Sequence, residues 1–66
     1  MQVLVNGDPK QLEVGLTLKQ LIAELSLNPL RVAVEVNRDL VRRTNYEHTV
    51  LRDGDALEIV TLVGGG

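Results

Sequence analysis

Apolar and polar residues alternate along Met1–Asn6, with Met1, Val3 and Val5 on one face and Gln2, Leu4 and Asn6 on the other. A period of two is that of a strand with one buried side. Asn6-Gly7 follows at once, and both residues accept the positive φ that a type I′ hairpin turn requires. Asp8-Pro9 reinforces the turn and lengthens the loop, which places the returning strand over Gln11–Val14 with Leu12 and Val14 inward. The period then changes. Leu18, Leu21, Ile22 and Leu25 recur at i, i+3, i+4 and i+7, one apolar stripe on a helix. Thr17 and Gln20 have the spacing of a capping box at its start. Asn28-Pro29 predicts its stop, because the residue before proline is pushed out of the α region. A helix of about nine or ten residues is marginal alone and has to be held by a sheet.

Alternation resumes over Arg31–Asn37, with Val32, Val34 and Val36 on one side. Asn37-Arg38-Asp39 predicts a turn into a short strand at Leu40-Val41, and Arg42–Thr49 is polar, with one helical turn near Asn45–Glu47. Asp53-Gly54-Asp55 reads as a second tight turn. The apolar, partly β-branched run Ala56–Leu62 is the last strand, with Leu57 and Ile59 facing the core. One helix therefore covers one face of a mixed sheet of four or five strands. A right-handed crossover brings the last strand beside the first, parallel to it, in the middle of the sheet. That order is an α+β fold of the β-grasp, ubiquitin-like type.

After the last strand the side chains stop. Gly64, Gly65 and Gly66 are three of the chain's six glycines. Residues 1–63 read as the folded body and 64–66 as a flexible tail. Without a Cβ such a tail can thread a narrow channel in another protein, and Val63–Gly66 extended spans about 13 Å. The group it delivers is the Gly66 carboxylate. Leu57 and Ile59 facing inward send Val60 outward with Leu62 after it, so Val60, Leu62 and Val63 form a candidate docking surface beside the tail.

Composition narrows the chemistry. Sixty-six residues without cysteine hold no disulfide, no thiolate metal site and no nucleophilic thiol. His48 is the only histidine, and a catalytic histidine needs an oriented partner. Asp53 and Asp55 are too few oxygen ligands, too closely spaced, for a calcium loop. No metal site and no bound cofactor is expected. Net charge is −2 and Tyr46 is the only aromatic residue, which gives no basis for binding nucleic acid. Five arginines against three acids between Arg31 and Arg52 read as a solvated face. No run approaches the ~20 apolar residues of a membrane span, and no signal-peptide pattern opens the chain. A cytoplasmic protein without membrane association is the expectation.

Val-Asn-Gly near the start, Val-Glu-Val-Asn-Arg-Asp-Leu-Val at Val34–Val41, the Asp-Gly-Asp turn and the closing Glu-Ile-Val-Thr-Leu-Val-Gly-Gly-Gly together resemble the sulfur carrier family of thiamine biosynthesis, over the full length. The resemblance implies that the chain is not an enzyme but a co-substrate of partner enzymes. An E1-like adenylyltransferase would use ATP to adenylate Gly66. A sulfur donor such as a cysteine desulfurase would convert the adenylate to a thiocarboxylate, and thiazole synthase would take the sulfur. The family signature is Gly-Gly, so Gly65-Gly66 is the expected reactive pair and Gly64 a spacer. The same fold and tail also fit a sulfur carrier for molybdopterin synthesis or tRNA thiolation, or a ubiquitin-like modifier that ends on lysine.

Overall fold

The computed structural model describes residues 1–63; the predicted tail, Gly64, Gly65 and Gly66, lies outside the described residues. The chain folds as β1 (Gln2–Val5), β2 (Asp8–Gln11), α1 (Leu18–Glu24), a 3₁₀ turn at Pro29–Arg31, β3 (Val32–Val36), β4 (Asp39–Val41), a 3₁₀ helix at Arg43–His48 and β5 (Ala56–Thr61). The five strands make one sheet in the order β2-β1-β5-β3-β4. β1 and β5 are parallel at its centre, and the neighbouring pairs are antiparallel. This is the β-grasp arrangement, with α1 on one face.

Local chemistry accounts for each boundary. Asn6 and Gly7 have φ of 51° and 87°, and Val5 pairs directly with Asp8, so the hairpin loop has two residues. Asp8-Pro9 does not lengthen it. The return strand is therefore Asp8–Gln11 rather than Gln11–Val14, and Val14 lies 86% exposed. Two positive-φ residues close the turn completely, and Pro9 is tolerated because β2 is an edge strand that can do without one N–H. Leu12 still turns toward the core, held by its N–H to the Met1 carbonyl at 2.8 Å. Asn37 and Arg38, with φ of 51° and 72°, repeat the two-residue loop between Val36 and Asp39.

The capping box forms as expected: Thr17 Oγ1 accepts from the Gln20 N–H, and the Thr17 N–H donates to Gln20 Oε1. The helix, however, ends at Glu24, before Asn28-Pro29. Ser26 takes φ 58°, its N–H reaches the Ala23 carbonyl, and the Leu27 N–H reaches the Ile22 carbonyl at 3.1 Å. This is a Schellman termination with serine where glycine is usual, and neither proline nor glycine marks it. Asn28-Pro29 instead opens the following 3₁₀ turn, with Asn28 Oδ1 accepting from Leu30 N–H.

The core lies between α1 and the inner sheet face. Leu18, Leu21 and Ile22 pack against Val3, Val5, Val32, Val34, Leu57 and Ile59, all buried, while Leu25 and Val36 are only partly buried. Tyr46 and Leu51 complete it from the stretch whose polar sequence carries no period. Leu51 is drawn in by the Leu51 N–H to Leu16 carbonyl bond at 2.9 Å and the Leu18 N–H to Thr49 carbonyl bond at 2.8 Å. Among the described residues no helix is long and apolar enough to cross a membrane. Leu21 is 1% exposed at the centre of the helix stripe, so Leu21→Ala is expected to cost roughly 2–5 kcal/mol, read as a lower denaturation midpoint; an unchanged midpoint would show that this is not the core.

Candidate functional site: the free end of the central strand

β5 is held by asparagine amides at two points, Ala56 at its start and Ile59 past its middle. Asn6, at the end of β1, receives the Ile59 N–H on its Oδ1 at 2.8 Å and donates from Nδ2 to the Ile59 carbonyl at 3.0 Å. The side chain thereby stands in for a peptide group and carries the parallel ladder beyond Val5↔Leu57, where backbone pairing stops. Asn37 binds the start of β5 from the other edge. Its N–H donates to the Ala56 carbonyl at 2.7 Å, the Ala56 N–H donates to its Oδ1, and its Nδ2 donates to Asp55 Oδ1. The aspartates of the preceding turn are fixed in the same region: Asp53 Oδ1 accepts from Gln2 N–H, and Asp55 Oδ2 from Arg52 N–H. Their carboxylates serve the backbone donors of Gln2 and Arg52 and, at Asp55 Oδ1, the Asn37 amide.

β1 turns away at Gly7 while β5 continues, still paired with β3 through Ala33↔Val60 and Val32↔Thr61. The end of β5 therefore projects past its parallel neighbour. Val60, Leu62 and Val63 are 61%, 53% and 94% exposed. Leu4 and Leu40 are also exposed; Leu4 pairs with Ala56 of β5, and Leu40 with Glu35 of β3. They extend the apolar surface over the outer sheet face. Glu35 and Glu58 sit directly opposite one another there, and among the described residues neither has an ion-pair partner. Gly64, Gly65 and Gly66, which carry the predicted reactive end, lie outside the described residues.

The other reactive side chains are elsewhere. His48 contacts Glu47 at 3.4 Å, and Lys19 contacts the same carboxylate at 3.9 Å, all exposed. Tyr46 is buried beneath the 3₁₀ helix; burial pushes its phenol up from the usual range, against a smaller lowering by the Arg43 guanidinium. Among the described residues no group of three or more His, Cys, Asp or Glu could hold a metal ion. Among the described residues the arrangement offers a projecting strand end with an apolar flank, and no catalytic constellation.

The sequence matches the ThiS family over residues 3–66. The chain belongs to that family. A 39% identical relative, the sulfur carrier protein ThiS of Thermus thermophilus, aligns over 97% of this chain and 98% of its own length. The crystal structure of the thiamine biosynthesis protein ThiS from Geobacter metallireducens superimposes with a TM-score of 0.85 at 32% identity, covering the whole of both chains. The match also falls within longer proteins. A thiazole synthase of Paramagnetospirillum magneticum is 36% identical and one of Magnetococcus marinus 41% identical over all 66 residues, and the chain spans 20% of the length of each. As a ThiS family member the chain shares the β-grasp fold predicted from its element order.

Sequence reasoning from alternation placed Val60 and Leu62 outward, and both are exposed, as is Val63, the third residue of the candidate docking surface. It took Asn6 and Asn37 only for turn residues. The available signal was that the same residue type opens both hairpin loops, where its amide lies beside the neighbouring central strand. Asn6→Gly keeps the positive φ and deletes only the amide. It is expected to lower stability by roughly 1–3 kcal/mol, since two bonds to Ile59 are lost and its backbone groups are left unpaired. A melting curve superimposable on wild type would remove Asn6 from the account of how β5 is held.

Proposed function

We propose that this chain is a sulfur carrier of thiamine biosynthesis, and that the carboxylate of Gly66 carries the sulfur. The observation that supports this most is the similarity, over nearly the full length of both chains, to the sulfur carrier of Thermus thermophilus. The chemistry of the side chains agrees, since no cysteine is present and the only histidine is an exposed neighbour of Glu47. Activation then belongs to a partner. A carboxylate is a poor electrophile, so an E1-like adenylyltransferase directs its oxygen onto the α-phosphorus of ATP. Pyrophosphate leaves, and the product is an acyl-adenylate. A persulfide, supplied by a donor such as a cysteine desulfurase, attacks the carbonyl carbon and expels AMP. A second thiol cleaves the resulting acyl disulfide and leaves the thiocarboxylate. Thiazole synthase is the acceptor, a reading supported by the thiazole synthases that contain a domain similar to this chain.

The fold contributes position. β5 carries the chain outward past β1, and Val60, Leu62 and Val63 give the adenylyltransferase an apolar surface to grip beside the tail. Val60→Asp is expected to weaken binding to that enzyme by on the order of tenfold or more, because it buries a charge in the interface. Its circular dichroism and melting curve should stay close to wild type; unfolding instead would make Val60 a core residue.

Terminal-carboxylate chemistry is tested by moving the carboxylate. Adding one alanine after Gly66 displaces it by roughly 3.5 Å, and a misplacement of about 1 Å can cost on the order of 10²-fold in rate. ATP–pyrophosphate exchange with the adenylyltransferase should collapse for this variant and persist for His48→Ala. Exchange at the wild-type rate from the extended chain would overturn the mechanism. Intact mass after expression separates the product classes: an increase equal to replacement of one oxygen by sulfur supports the carrier, whereas a lysine-linked adduct indicates a protein modifier.

A further inference from the structure

The end of β5 has one edge left open. Leu62 N–H donates to the Arg31 carbonyl and Asn37 N–H to the Ala56 carbonyl, both at 2.7 Å, so the even-numbered residues of β5 direct their backbone groups to β3. The odd-numbered residues direct theirs the other way. The Leu57 carbonyl accepts from Asn6 N–H at 2.8 Å, and the Ile59 N–H and carbonyl are both taken by the Asn6 amide. Thr61 is the next odd residue, and β1 has already turned away. Among the described residues its N–H and carbonyl have no partner. These groups face a groove between the Asn6 hairpin and the chain leaving α1, walled by Leu25 and Leu27 and continuous with Val60.

We propose that the adenylyltransferase adds an extended segment of its own to β5 at Thr61, in the groove between Asn6 and Leu27. This rests on the sulfur-carrier reading above and names what holds the tail. Three features select an extended peptide over any other occupant. The open groups are one backbone donor and one backbone acceptor at strand spacing, which another strand satisfies together. The Asn6 amide closes the preceding rung, so the register of the added segment starts at Thr61. The side chain of a partner residue opposite Thr61 would project to the helix side of the sheet, the side of Leu57 and Ile59, and there it meets Leu25 and Leu27. An aliphatic or aromatic residue is the complement. Pairing on this edge would give the projecting end of β5 a neighbour on both sides and fix the direction in which the chain runs on from Val63. Alignment of the carboxylate with ATP depends on that direction.

The test has two arms. In the free carrier the Thr61 amide should exchange with solvent at nearly the unprotected rate, and saturating adenylyltransferase should slow it by at least about tenfold. Thr61→Pro removes the open N–H without touching the ladder to β3, because that N–H faces the groove and proline is tolerated at an unpaired edge. In a variant with a wild-type melting curve, kcat/KM for pyrophosphate exchange should fall roughly tenfold, the equivalent of one lost interfacial hydrogen bond with its partner left unpaired. Thr61→Ser, which keeps the N–H, should stay near wild type. If Thr61→Pro does not fold, amide exchange in the wild-type complex decides alone. Exchange activity by wild type with an unprotected Thr61 amide overturns strand addition and leaves the carrier reading standing. Protection by thiazole synthase but not by the adenylyltransferase likewise overturns it. Absence of any pyrophosphate exchange by wild type overturns the carrier reading, and this inference with it.

Discussion

The pairing of β1 with β5 is the constraint on which the rest of the structure depends. It joins residues near the two ends of the described chain in parallel, and no tight turn can make such a connection. Everything between Asn6 and Asp55 is in effect the crossover. Yet the backbone register of that pair covers only Leu4↔Ala56 and Val5↔Leu57. The Asn6 amide lengthens it by one rung, the Asp53 carboxylate and the Gly54 N–H bind Gln2 at its other end, and Asn37 secures β5 from the opposite edge. Side chains at turns thus complete a central ladder that backbone pairing leaves short. Positive φ at Asn6 and Asn37 follows from the tight loops, which are where an asparagine can reach back to the adjacent strand.

The two sheet faces are under different constraints. The inner face is aliphatic and closed by α1, and truncating a buried side chain there leaves a cavity. The outer face is open, and Leu4, Leu40, Val60 and Leu62 remain exposed on or beside it. Glu35 opposite Glu58 is a pairing that weakens an isolated sheet by a fraction of a kcal/mol. A domain of this size has only a few kcal/mol in hand, and it tolerates that cost on the face that does not hold it together. That face is apolar and acidic at once.

Periodicity exposed what periodic elements bury. The switch from two to 3.6 residues at Thr17 and back at Arg31 was enough to place β1, α1, β3 and β5, and their order implied the parallel centre. Three features escaped because their causes are not periodic. The helix stop depends on Ser26 adopting a left-handed conformation, which glycine would have advertised. The length of the first hairpin loop depends on turn geometry that closes before Asp8-Pro9 can contribute. Leu51 is held inward by hydrogen bonds between distant backbone segments, and Tyr46 is buried from an irregular 3₁₀ stretch; neither leaves a trace in local spacing. On the functional side, the outward phase of Val60 and Leu62 could be read from alternation alone. The open edge at Thr61 could not, because it requires knowing where β1 leaves the sheet.

What the body supplies to the proposed chemistry is direction. That chemistry requires the carboxylate to be aligned with its reaction partner, and contacts made further back along the chain can contribute to the alignment. The last well-held residue is the natural place for them. At Ile59 the edge away from β3 is closed by the Asn6 amide; at Thr61 the backbone groups on that edge have no partner among the described residues, and the strand is bonded toward β3 only through its even-numbered residues. The passage from held to half-held backbone therefore falls within two residues, immediately before the apolar surface at Leu62 and Val63. A partner that completes the missing edge extends the ordered strand toward the reacting group without altering the fold behind it.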